Sequence, residues 1–116
     1  MSKEQEMKVD TRIKELVAIL DSIPYIYTFS SCGGHEKIKN VSQCSSDEFY
    51  VNFVVERNKR AWCSLEKISL AAAMTDHENI IITAWTEGEP NTLCFELRGK
   101  NNTDPEKLAN NLQEFV

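Results

Sequence analysis

The chain has 116 residues, with 13 Lys plus Arg against 18 Asp plus Glu, a formal net charge of −5, 41% apolar residues and 9% aromatic residues. That length excludes two packed domains and suffices to bury about two thirds of the unfolded chain's surface, so no disulfide or metal is needed as a staple. The acidic balance excludes a broad basic footprint for nucleic acid, and the longest apolar run falls far short of the ~20 residues that span a bilayer.

The start, Met1-Ser2-Lys3-Glu4-Gln5-Glu6, lacks the apolar core of a signal peptide. The expected location is therefore the cytoplasm. There Cys32, Cys44, Cys63 and Cys94 stay reduced thiols rather than forming a disulfide framework. Residues 1–9 are charged and without period, and read as a flexible tail preceding a single domain over 10–116.

From Asp10, Ile13, Leu16, Val17, Leu20 and Ile23 follow the i, i+3, i+4, i+7 spacing of a helix with one buried stripe. Asp10 is the expected cap and Pro24 the stop. Tyr25 to Ser31, rich in aromatic, β-branched and hydroxyl residues, predicts a strand that runs into Ser30-Ser31-Cys32-Gly33-Gly34-His35. Between Asp47 and Glu56 the apolar residues Phe49, Val51, Phe53 and Val55 alternate with others, the pattern of a half-buried second strand. Asn58 to Thr75 returns to helical spacing through Trp62, Leu65, Ile68, Ser69, Ala72 and Ala73.

Asn79 to Glu87 is apolar on both faces, which predicts a central strand. After the turn Gly88-Glu89-Pro90-Asn91, Thr92 to Gly99 alternates again and completes a hairpin. Asp104-Pro105-Glu106 opens a last helix with Leu108, Leu112 and Phe115 on one stripe. The expected fold is α+β in αββαββα order, a four-stranded, mainly antiparallel sheet with its helices on one face. The other face, with Tyr50, Asn52, Val54, Thr83, Trp85, Cys94, Glu96 and Arg98, is then semi-apolar and suits a homodimer interface or a ligand wall.

The two halves differ in one connection. A few turn residues join the later strands, whereas roughly fifteen join the first pair, longer than the ~12 beyond which loops in compact domains are usually functional or disordered. That loop opens with the richest chemistry in the chain. Gly33 and Gly34 can aim backbone N–H groups at an anion, and Ser30 and Ser31 can add hydroxyl donors. Cys32 and His35, three apart, pair a thiol with an imidazole, the makings of a catalytic nucleophile and base. Arg57 and Arg60, in the basic cluster Arg57-Asn58-Lys59-Arg60, would hold a phosphate if folded beside the loop. The expected occupant is a small anionic or nucleotide-type ligand.

Cys32-x-x-His35 also has the spacing of two zinc ligands. A closed site needs about four, and Cys44, Cys63 and His77 supply no second close pair, so no metal is expected, and a zinc-stabilised domain stands as the third reading. His77 suits the C-terminus of the second helix through the helix dipole. Trp62 and Trp85 read as core or rim aromatics.

The segment Thr28-x-Ser30-Ser31-Cys32-Gly33-Gly34-His35 resembles the Thr-x-Ser-Ser-Cys-Ser-Gly-Arg segment of the wybutosine-synthesising methyltransferase family. Gly33 stands where that family has serine and His35 where it has arginine. The segment is similar also to small uncharacterised prokaryotic proteins with Ser-Cys-x-Gly-His. The first resemblance, over about residues 10–56, implies an α+β domain that uses S-adenosylmethionine to methylate a modified tRNA base. The alternative is a module that acts through the open sheet face without catalysis.

Overall fold

The computed structural model describes residues 9–88 and 92–116. Residues 1–8 of the tail expected over 1–9, and residues 89–91 of the expected Gly88–Asn91 turn, lie outside the described residues. Val9, expected in the tail, packs against the core instead.

The elements are α1 (Lys14–Ser22), β1 (Ile26–Cys32), β2 (Phe49–Val55), α2 (Ala61–Asp76), β3 (Ile80–Thr86), β4 (Leu93–Gly99) and α3 (Pro105–Gln113), with a 3-10 turn over Thr11–Ile13 before α1. The order is αββαββα, and the fold is α+β. The four strands form one sheet in the order β1-β2-β4-β3 with every neighbouring pair antiparallel. β3 is therefore an edge strand and not the central strand its apolar pattern predicted. Its second apolar face has another cause: Ile81 and Trp85 belong to an aromatic and aliphatic patch on the side of the sheet away from the helices.

Alternation in β2 and β4 places Phe49, Val51, Phe53 and Leu97 on the helix-covered face, where all four are fully buried. They meet Leu16, Val17 and Leu20 of α1, Ile68, Ala71 and Ala72 of α2, and Leu108, Ala109 and Leu112 of α3 in one core. Phe53 stacks on Phe95 with ring centroids 5.5 Å apart. α3 packs against both α1 and α2. At Gly99 any side chain would collide with the ring of Phe49, which a Cβ there would approach to 2.1 Å.

The buried stripe of α2 is rotated from the predicted one. Ala61, Ser64, Ile68, Ala71 and Ala72 face inward, whereas Trp62 is 71% exposed and Ala73 is exposed. Ser64 tolerates burial because its hydroxyl donates to the Pro24 carbonyl at 2.6 Å. A β-bulge between Thr28 and Ser30 shifts the β1 register. Phe29 then meets Trp85 edge-on at 6.4 Å. β1 and β3 are the two edges of the sheet, three strand spacings or roughly 14 Å apart, so these side chains lean over the strands between them. Cys94, on that face, is 2% exposed although no helix covers it.

Candidate metal centre

The long connection closes back onto the end of β1. The His35 N–H donates to the Cys44 carbonyl at 2.9 Å, and His35 forms an isolated parallel bridge with Ser45. The Tyr50 hydroxyl donates to the Ser42 carbonyl. Cys32, Cys44 and Tyr50 make a small second core under the loop. Arg98 lies over the Tyr50 ring at 5.0 Å and pairs with Glu48 at 2.8 Å and Glu96 at 2.7 Å.

Arg12, which in sequence is an ordinary solvated residue of the first turn, ties this loop to the helices. One guanidinium nitrogen donates to the carbonyls of Gly33 at 2.8 Å, Ser46 at 3.2 Å and Glu48 at 3.2 Å, and a second reaches the Thr103 carbonyl at 3.5 Å. Gly34 has φ +101°, and a Cβ there would lie 2.7 Å from the Glu48 carbonyl oxygen. Only glycine fits both the conformation and the space.

Within this frame Asp10 does not cap the first turn. Its carboxylate turns toward the loop, accepting the Gly33 N–H at 2.7 Å and standing 3.7 Å from His35 Nε2. The Cys32 sulfur accepts the N–H groups of Gly34 at 3.5 Å and Cys44 at 3.4 Å. One donor atom from each of Asp10, Cys32 and His35 lies within 4.8 Å of the other two. Cys32 is 2% exposed, while the side chains of His35 and Asp10 are 34% and 44% exposed. The trio has a buried sulfur at its base and a solvent-facing imidazole and carboxylate at its mouth.

Several predicted site residues do other work. The Gly33 and Gly34 amides are spent on Asp10 and Cys32, and the His35 amide on Cys44, so these three backbone donors of the expected anion-binding concavity are already engaged. A carboxylate beside it repels anions as well. Ser30 accepts from Asn52 Nδ2 at 2.9 Å, and the Ser31 hydroxyl is buried without a hydrogen-bond partner. Arg57 and Arg60 are not beside the loop: β2 pairs Tyr50 with Cys32 at one end and Val55 with Ile26 at the other, and the basic cluster follows that far end.

Among the other thiols, burial pushes Cys44 up to about 12, and its sulfur sits 3.8 Å from the Cys32 carbonyl. Cys63 is exposed on α2. His77 follows α2, with its Nε2 3.9 Å from Glu78, and takes no part in the trio.

Sequence reasoning brought Cys32 and His35 together and missed Asp10 as their partner, because a helix cap and a loop-facing carboxylate look the same in sequence. The fold and this donor set define an antiparallel α+β domain with a mixed sulfur, nitrogen and oxygen cluster at a sheet edge. No family model, curated protein or solved structure matches the chain. Among the described residues, no helix is long and apolar enough to cross a membrane.

Proposed function

We propose that Asp10, Cys32 and His35 bind a divalent transition metal of zinc type through three protein ligands, with one coordination position open. The observation that carries this reading is the convergence of their donor atoms within 4.8 Å around a sulfur that already accepts two backbone N–H groups. Such bonds stabilise the negative charge a thiolate ligand carries. A mixed thiolate, imidazole and carboxylate set suits zinc, and three protein ligands leave the fourth site for water or substrate. Donors in a tetrahedral zinc site stand about 3.3–3.8 Å apart, so loading draws the trio in by up to about 1 Å. The bound ion would serve as a Lewis acid or activate its water.

The same three residues also suggest a thiol nucleophile, an imidazole base and an orienting carboxylate. Burial argues against that reading, since a sulfur 2% exposed is placed to hold an ion from below rather than to reach a substrate carbon. The reading assumes a cytoplasmic setting, where such thiols stay reduced. Methyl transfer from S-adenosylmethionine to tRNA rests on the resemblance of the Thr28–His35 segment alone.

The test is metal content of the purified protein by mass spectrometry, followed by Zn²⁺ and Co²⁺ titration of the stripped protein. One equivalent is expected, with a thiolate-to-cobalt charge-transfer band. Cys32→Ser, His35→Ala and Asp10→Ala should each weaken binding by more than the about 10–100-fold typical of outer-shell partners. His77→Ala should leave it unchanged. Binding that survives Cys32→Ser, or none at all, would overturn the proposal.

A second reading, self-association through the open sheet face, is favoured by the exposure there of Tyr27 (53%), Phe29 (43%) and Ile81 (44%).

A further inference from the structure

On the helix-covered side, α2 leaves one corner of the sheet bare. Its buried stripe, from Ala61 to Ala72, faces the core, and the neighbouring helix face with Trp62, Leu65 and Ser69 borders an open cleft beside β4 and β3. The cleft between them has walls of Trp62, Leu65, Ile82, Leu93 and Phe95, with a volume of about 650 Å³. It continues, through Trp62, Leu65 and Leu93, into a second hollow of about 380 Å³ bounded by Glu56, Arg57, Asn58 and Lys59. Pockets of about 300–1,000 Å³ with apolar walls and a few placed polar groups are the usual sites for small ligands.

Charge sets the polarity of this one. Neither Arg57 nor Lys59 forms an ion pair among the described residues, and with Glu56, which accepts from the Tyr27 hydroxyl, as the acidic side chain lining the same hollow, this end keeps a net positive charge. At the other end stands Glu66, which disfavours an anion there. Trp62 to Ser69, which line the apolar part, are seven residues apart, about 10 Å of helix axis. An occupant must therefore be elongated, apolar along most of its length and anionic at one tip.

We propose that this cleft binds a free aliphatic monocarboxylate of medium chain length. Its chain lies between α2 and the Leu93–Phe95 segment, and its carboxylate sits on Arg57 and Lys59. The site is separate from the metal centre, which stands at the opposite end of β2, so each stands or falls alone.

Trp62 is the natural reporter. In a Trp85→Phe background it is the remaining one of the two indoles, and titration with decanoate below its micellar concentration should give a saturable change in emission. Hexanoate should bind about two orders of magnitude more weakly, since each buried methylene contributes about fourfold. Decylamine should not bind. Arg57→Ala combined with Lys59→Ala should lower decanoate affinity at least tenfold, and Ala84→Leu, a change at an exposed position that fills the channel floor, should abolish it. Absence of saturation, equal binding of decylamine, indifference to both sets of variants, or a response only to vesicles of anionic phospholipid would each overturn the proposal.

Discussion

The four cysteines show how far surroundings, rather than residue type, decide chemistry. Cys32 accepts two amide donors, Cys44 is buried beside it, Cys63 is open to solvent, and Cys94, opposite Trp85 in the sheet, is buried on the face away from the helices. Burial first, and the Glu87 carboxylate second, raise the pKa of Cys94. A thiol whose folded pKa lies above its unfolded value, about 8.5, contributes stability that is fully present below that pH. The contribution is lost as pH rises through the folded value. As pH rises above about 8.5, the urea midpoint of the native protein should thus fall more steeply than that of Cys94→Ala. Parallel pH profiles would show that this thiol carries no such linkage.

Two aspartates with the same sequence signature illustrate the element scale. Asp104 stands before Pro105 and accepts the Glu106 N–H at 2.9 Å, so α3 starts as its sequence predicts. Asp104→Ala should lower stability by about 1 kcal/mol, as loss of a cap generally does, read from urea unfolding. Asp10 stands before the first helical turn in the same manner, yet its carboxylate is directed to Gly33. Asp10→Ala should therefore loosen the Gly33 turn, and with it the proposed metal site, rather than uncap a helix. The periodicities of α1, β2, β4 and α3 were legible because a stripe or an alternation is a local property. The burial of α2 was not, since apolar residues on more than one side left its orientation to packing, and Trp62 turned out to the rim of a cleft.

For the whole molecule, the two sheet faces are finished differently. Helices cover one except at the corner beside Trp62, and the long loop closes part of the other over Tyr50 and Cys44. The rest of that second face shows Tyr27, Phe29 and Ile81 to solvent. Apolar exposure of this kind suits an interface. Light scattering coupled to size exclusion should show dimers at micromolar concentration, reduced to monomers by Phe29→Lys. Monomers throughout would remove self-association.

From its residue pattern alone the chain determined the kinds of element, their order, the antiparallel hairpin and the loop bearing Cys32 and His35, because hydrophobic period, turn residues and proline stops act over a few neighbouring positions. Tertiary structure alone decided that β3 lies at an edge, that Asp10 joins Cys32 and His35, and that Arg57 and Arg60 stand away from them. Those outcomes depend on strand register and helix docking between residues more than 20 positions apart. Competing packings of such segments differ through the whole core they bury, and no local spacing records that difference.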